Sequence, residues 1–127
     1  MLTVKTTYTP LGSKLETDRA ELIIGGREGQ FFPYDLLLGS LSACFHATLR
    51  DIHAKSKQEI PSMEIIVTGE KRTENPTTLE WVHMDIAVFD EVDQQKFLRF
   101  VDLAARYCSI HETISKVAKM THEVTFK

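Results

Sequence analysis

The architecture of this chain is set by the residues Pro33-Tyr34-Asp35-Leu36-Leu37-Leu38-Gly39-Ser40-Leu41-Ser42-Ala43-Cys44, which continue into an apolar run that ends at Leu49. Pro33 predicts the start of a helix, because the N–H that proline lacks would be unpaired in the first turn anyway. Asp35 suits the positive end of the helix dipole. Apolar residues then cover almost the whole circumference, which predicts a central helix buried on all sides. A chain of this length cannot easily wrap one helix completely, so we expect a second subunit to help cover it.

The flanking segments predict an α+β fold. Three short strands are predicted before the helix, over residues 2–8, 14–17 and 20–24, followed by a glycine-rich loop over residues 25–29. After it, alternating patterns predict an antiparallel hairpin. A helical period begins at Asp93, and Ser109 with Glu112 forms a capping-box pattern that predicts another short helix. The final strand covers residues 122–126. The predicted order is βββ-α-ββ-α-α-β, in a single domain over residues 1–127.

Composition and charge exclude several classes of partner. The 127 residues carry a net charge of −3 with scattered basic residues, so neither a nucleic-acid nor a membrane partner is expected. The first residues lack the apolar run of a signal peptide, which predicts a cytoplasmic protein. In a reducing compartment, the two cysteines are not expected to form a permanent structural disulfide.

The two cysteines have different local settings. Cys44 lies in the middle of the predicted central helix, where a free cysteine usually serves as a small buried apolar residue. Cys108 precedes a predicted helix N-terminus, whose unpaired N–H groups are expected to lower the pKa of the thiol. Spacing alone does not say whether the two meet. A zinc set of Cys44, His46, Cys108 and His111 is not expected, because residues two apart on a helix point about 200° apart. No metal or cofactor is predicted.

Two segments resemble the motifs of a known family. The segment from Pro33 to Cys44 is similar to the central-helix motif of the OsmC/Ohr family, with a cysteine eleven positions after the proline. Ala105-Arg106-Tyr107-Cys108-Ser109-Ile110 resembles that family's second motif, a cysteine that opens a late helix. The tail Thr121-His122-Glu123-Val124 is similar to the closing strand of the OsmC-like subgroup of YhfA type.

The resemblance implies an intertwined homodimer with the two cysteine helices packed at its centre. It also implies an enzyme, a thiol peroxidase that reduces organic hydroperoxides or other peroxides. In that scheme Cys44 is the peroxidatic thiol and becomes a sulfenic acid. Cys108 is the resolving thiol that condenses with it to a disulfide, and an external dithiol reduces the disulfide.

This sequence departs from the family at the group that activates the thiol. Characterised family peroxidases use an arginine held by a glutamate ten positions before the cysteine, where this chain has Tyr34. Asp35 matches a second acidic position, or is simply a helix-start acid. Arg27 is the nearest candidate for the cation, or a solvated loop charge. Two further cations, Arg19 and Lys14, remain open, and His111 is a candidate to support a Cys108 thiolate.

Tyr34 leaves an alternative function open. The same dimer interface would form an apolar pocket for a small hydrophobic ligand, in a non-enzymatic binder whose cysteines sense or merely line it. A third hypothesis is purely structural, with both cysteines serving only to fill the core.

Overall fold

The computed structural model describes residues 1–127 and confirms the predicted order of elements, βββ-α-ββ-α-α-β. The strands and helices, in chain order, are β1 (Lys5–Thr9), β2 (Gly12–Glu16), β3 (Glu21–Ile23), α1 (Pro33–Lys55), β4 (Met63–Lys71), β5 (Leu79–Val88), α2 (Gln94–Tyr107), α3 (Ser109–Ser115) and β6 (Lys119–Phe126). Contacts divide the chain into two compact units, residues 1–37 and 38–127. The prediction of a single domain over residues 1–127 stays a prediction.

The first unit is an antiparallel meander in the order β1-β2-β3. Lys5 pairs with Glu16 and Thr9 with Gly12, so a tight turn at residues 10–11 closes the first hairpin. Every residue of β1 is exposed, and Ile24 is the one buried residue in the unit. A small sheet normally needs a packed apolar face for stability, and the unit itself provides little buried apolar surface for this sheet.

The second unit contains a sheet in the order β4-β5-β6. β4 and β5 form the predicted antiparallel hairpin, whereas β5 and β6 run parallel, with Trp81 opposite Lys119 and Val88 opposite Phe126. Alternate residues of β5 point into the core because successive side chains of a strand face opposite sides. The buried set in β5 is Leu79, Val82, Met84, Ile86 and Val88.

Helix α1 buries one stripe and leaves the opposite side open. Leu41, Phe45, Leu49 and His53 recur every four residues and are all buried, as expected for one face of a helix. Gly39 and Ala43, on the other side, are exposed. The prediction that a second subunit completes the burial of this helix stays a prediction. Neither α1 nor any other helix is long and apolar enough to cross a membrane.

Helix α2 packs on the core through Phe97, Val101 and Ala104. Its first turn is capped by Asp93, whose carboxylate accepts a hydrogen bond from the backbone N–H of Lys96 at 3.1 Å. The ring of His53 lies edge-on to Phe100, with ring centres 4.8 Å apart. These contacts fix the end of α1 against α2.

Candidate active site

Cys108 is the single residue that joins α2 to α3. Its backbone N–H donates to the Ala104 carbonyl at 2.8 Å, which closes α2. Its thiol sulfur accepts a hydrogen bond from the backbone N–H of His111 at 3.4 Å, which caps α3. The predicted capping box, with Ser109 as the cap, is wrong by one residue, because the cysteine sulfur takes the role that a serine oxygen usually has. Cys108 is fully buried, and its thiol direction is fixed by both helices.

Cys44 lies beside this junction. Its sulfur is 3.2 Å from the sulfur of Cys108, and both residues are free thiols. The Ser109 hydroxyl oxygen lies 3.9 Å from the Cys44 sulfur. Cys44 is partly exposed whereas Cys108 is buried. The structure therefore brings together the two cysteines that the sequence could not place relative to each other.

The surroundings of Cys44 favour its thiolate. Burial alone would raise the pKa of this thiol, but hydrogen bonds outweigh it and hold the pKa below the ordinary value for cysteine. The donors are the backbone N–H groups of Ile110 and Ser109, the Ser109 hydroxyl and the Cys108 thiol. Each donates to the charged sulfur and so stabilises the ionised form. The family resemblance implies that an arginine stabilises the thiolate. In this chain, these uncharged donors lower the pKa of Cys44.

The same surroundings keep Cys108 protonated. Burial raises the pKa of the Cys108 thiol, and the neighbouring Cys44 thiolate raises it further. The hydrogen bond from the backbone N–H of His111 acts in the opposite direction and is outweighed. The expected lowering of the pKa of Cys108 by the helix N-terminus is therefore wrong. The Cys108 thiol instead donates a hydrogen bond to Cys44, a contact that lowers the pKa of Cys44 and raises the pKa of Cys108.

His111 acts on Cys108 through its backbone rather than through a charged ring. Burial lowers the pKa of the His111 imidazole, and the nearby His122 lowers it further. The imidazole is thus neutral near pH 7 and brings no positive charge to the thiols.

The other predicted site residues belong to the first unit. The Asp35 carboxylate accepts a hydrogen bond from the backbone N–H of Phe32 at 2.8 Å, which is the helix-start role weighed for it. The backbone N–H of Arg27 donates to the Gln30 side chain. Tyr34 is half-buried in the first turn of α1. Their support of Cys44 stays a prediction.

The two remaining candidate cations form ion pairs with neighbouring carboxylates. Lys14 pairs with Glu21 at 3.3 Å, and Arg19 pairs with Asp18 at 3.1 Å. Both pairs are largely exposed.

Ser109 is the site residue that sequence reasoning missed. Ser109 directly follows Cys108 in the sequence, but its spacing from Glu112 predicted that it caps a helix. Only the packing of the α2–α3 junction against α1 shows that its hydroxyl and N–H are directed to Cys44.

Comparison of the sequence with known proteins identifies the family of this chain. The profile described as OsmC-like protein matches residues 26–123. The protein YhfA of Escherichia coli strain K12 is 24% identical over 106 residues, which cover 80% of this chain and 79% of that protein.

Two solved structures share the fold over nearly the whole chain. An OsmC-like protein from Mycoplasma pneumoniae superposes with a TM-score of 0.86 at 19% identity, covering 98% of this chain and 95% of that one. The organic hydroperoxide resistance protein OhrB of Bacillus subtilis superposes with a TM-score of 0.72 at 17% identity, covering 98% of each. The profile match confirms the predicted family resemblance, and the chain belongs to the OsmC family.

Proposed function

We propose that this protein is a thiol-dependent redox enzyme that reduces organic hydroperoxides, with Cys44 as the peroxidatic thiol and Cys108 as the resolving thiol. The observation that carries the proposal is the 3.2 Å separation of the two sulfurs, together with the opposite shifts of their pKa values. A catalytic thiol peroxidase needs one ionised, accessible sulfur and a second sulfur close enough to form a disulfide. The lowered pKa of Cys44, its partial exposure and the 3.2 Å sulfur separation support both requirements.

The first step is attack of the Cys44 thiolate on the peroxide. An S–O bond forms as the O–O bond breaks, and the leaving alkoxide takes a proton to become an alcohol. Cys44 is oxidised to a sulfenic acid and the hydroperoxide is reduced. The N–H groups of Ser109 and Ile110 hold the thiolate before attack, in the role for which a cation was expected.

The second step is resolution by Cys108. Its sulfur attacks the Cys44 sulfenic acid, the S–S bond forms as the S–O bond breaks, and the hydroxyl leaves as water with the Cys108 proton. An external dithiol then reduces the disulfide by exchange and restores both thiols. Because the sulfurs are already adjacent, this step requires little movement of α1 or of the α2–α3 junction. The reducing cytoplasm is the compartment in which such a cycle is sustained.

The active form in this proposal is a homodimer. The second face of α1 presents Gly39 and Ala43, which are exposed, and a Cβ added at Gly39 would meet nothing within 4 Å. Small side chains let two helices approach closely, so this face suits the same face of a second copy. The first unit also leaves large apolar residues exposed, among them Tyr8, Ile23, Phe31 and Phe32. A partner subunit that covers both surfaces accounts for the apolar character of α1.

The family members whose names refer to organic hydroperoxide resistance support this choice of substrate class. Organic hydroperoxides are therefore the first substrates to test.

The test is consumption of cumene hydroperoxide with a small dithiol as reductant. We expect turnover by the wild-type chain, and no turnover by Cys44→Ser. Thr48→Ser is the matched control, since this hydroxyl bonds only the Cys44 carbonyl, at 2.9 Å, and should leave the rate unchanged. Full activity of Cys44→Ser would refute the proposal. A wild-type chain that binds the hydroperoxide without consuming it would identify the alternative, a non-enzymatic binder of small hydrophobic ligands.

A further inference from the structure

The outer face of β5 and β6 carries a cluster of metal-ligating side chains separate from the thiol pair. His83 and Asp85 are two residues apart on β5, so both point to the face of the sheet opposite the core. The parallel pairing places Glu123 of β6 directly beside Asp85. One ligand atom from each of these three side chains lies within 4.8 Å of the other two.

We propose that this cluster binds one zinc(II) ion, through Nε2 of His83 and a carboxylate oxygen each from Asp85 and Glu123. The His83 Nε2 and Asp85 Oδ1 atoms are 3.2 Å apart. Two ligand atoms on one tetrahedral zinc ion, with bonds of about 2.0–2.2 Å, lie roughly 3.4 Å apart. These two atoms therefore already have the spacing of a shared ion, and the exposed Glu123 side chain needs only a rotamer adjustment to join them.

The ring of His83 is oriented for this role by a second residue. Its Nδ1 lies 2.7 Å from the Thr121 hydroxyl oxygen on the neighbouring strand. With Nδ1–H donating to that oxygen, Nε2 keeps the lone pair that a metal requires. A hydrogen bond of this kind to the second ring nitrogen is the usual device that fixes a histidine ligand. The strands supply a rigid frame, since His83 pairs with Thr121 in the same register that places Asp85 beside Glu123.

The donor set selects the class of ion. One imidazole nitrogen and two carboxylates suit a borderline ion such as Zn²⁺. Mg²⁺ demands six oxygens in near-octahedral geometry and Ca²⁺ takes six to eight, so neither matches a site with a histidine and two carboxylates. Three protein ligands leave the fourth tetrahedral position open toward solvent. The bound ion would link β5 to β6 outside the core.

The experiment is zinc binding measured by equilibrium dialysis in a Cys44→Ser/Cys108→Ser background, which removes the thiols as competing ligands. We expect one zinc ion per chain, and at least about a tenfold loss of affinity in His83→Gln. Glu123→Gln, an exposed change that does not depend on the histidine, should also weaken binding. His122→Gln is the matched control, because His122 also lies on β6, pairs with an aspartate at 3.4 Å and is 26% exposed, against 27% for His83.

A second readout is thermal unfolding of the same background with and without zinc. Since binding to the native state alone stabilises it, Tm should rise with zinc in the background and in His122→Gln, but not in His83→Gln. The proposal is overturned if the background binds no zinc, if His83→Gln and Glu123→Gln bind it as tightly as the background, or if His122→Gln loses as much affinity as His83→Gln.

Discussion

The Cys44 and Cys108 sulfurs lie 3.2 Å apart although the residues are 64 positions apart in the chain. Cys44 comes from the middle of α1, and Cys108 from the one-residue junction between α2 and α3. The contact makes the two thiols unequal. Hydrogen bonds to Cys44 lower its pKa, whereas burial and the adjacent thiolate raise that of Cys108. The order of attack in the proposed cycle follows from this inequality.

Ser109→Ala should raise the pKa of the Cys44 thiol, because the variant removes one hydrogen bond to the thiolate. At neutral pH we expect alkylation of Cys44 by iodoacetamide to slow by roughly 2- to 10-fold, the equivalent of one net hydrogen bond. Ser115→Ala is the control, since the Ser115 hydroxyl bonds the Glu112 carbonyl on the same helix. Equal rates for wild type and Ser109→Ala would show that the hydroxyl does not act on Cys44.

The pH profile of the thiols should separate them. Because the pKa of Cys44 is lowered, its thiolate persists at a pH at which an ordinary cysteine is protonated, and is lost only as the pH falls through the lowered value. Cys108 has a raised pKa and ionises at a higher pH than an ordinary cysteine. Alkylation followed by peptide mass analysis across pH 5–10 should label Cys44 first at every pH. Labelling of Cys108 before Cys44 would reverse the assigned roles.

Cys108→Ser should stop the cycle after the first step. The serine hydroxyl keeps the cap on α3, so the fold is expected to persist while the resolving sulfur is lost. After one equivalent of hydroperoxide, the Cys44 sulfenic acid should accumulate and be trapped by dimedone, whereas the wild type should show little adduct. Comparable adduct in both proteins would exclude Cys108 as the resolving thiol.

Leu41→Ala should destabilise the second unit by about 2–5 kcal/mol, because the side chain is fully buried in the stripe of α1 that covers the core. Leu98→Ala is the matched control on α2, where the side chain is 42% exposed, and is expected to change the free energy of unfolding by less than about 0.5 kcal/mol. Urea unfolding monitored by circular dichroism measures both. A cost for Leu41→Ala as small as that for Leu98→Ala would place the core elsewhere.

Ala43→Glu should convert the proposed dimer into a monomer, because it places a charge on the exposed face of α1. Sedimentation equilibrium gives the mass directly. Asp51→Ala, an exposed change further along the same helix, is the control and should leave the dimer intact. A dimer that survives Ala43→Glu would show that the subunits meet through another surface.

Local patterns in the sequence were sufficient to predict the order of the elements. Pro33 marks the start of α1, and the alternation from Val82 to Val88 gives the buried face of β5. Both signals depend only on backbone geometry and on which side of an element is apolar. The apolar circumference of α1 indicates in addition a surface for a second subunit, and that part stays a prediction.

The site was predictable in its residues but not in its electrostatics. The resemblance paired Cys44 with Cys108, whereas their opposite pKa shifts depend on which N–H groups point to which sulfur. The cap at Cys108 moved by one residue from the predicted Ser109, because cysteine is not among the usual N-cap residues. Because Cys108 rather than Ser109 caps the helix, the hydroxyl and N–H of Ser109 are available to donate to Cys44. Similarly, no spacing rule joins His83 to Glu123 before the parallel pairing of β5 and β6 is known.

Mass mapping after one equivalent of organic hydroperoxide tests the central claim most directly. The reduced protein is treated with cumene hydroperoxide, free thiols are blocked, and peptides that contain Cys44 and Cys108 are identified without reduction. The proposed cycle predicts a Cys44–Cys108 disulfide as the main product, formed within a single chain. Two cysteines that both remain free thiols, or a Cys44 oxidised to sulfinic acid with Cys108 unreacted, would contradict it.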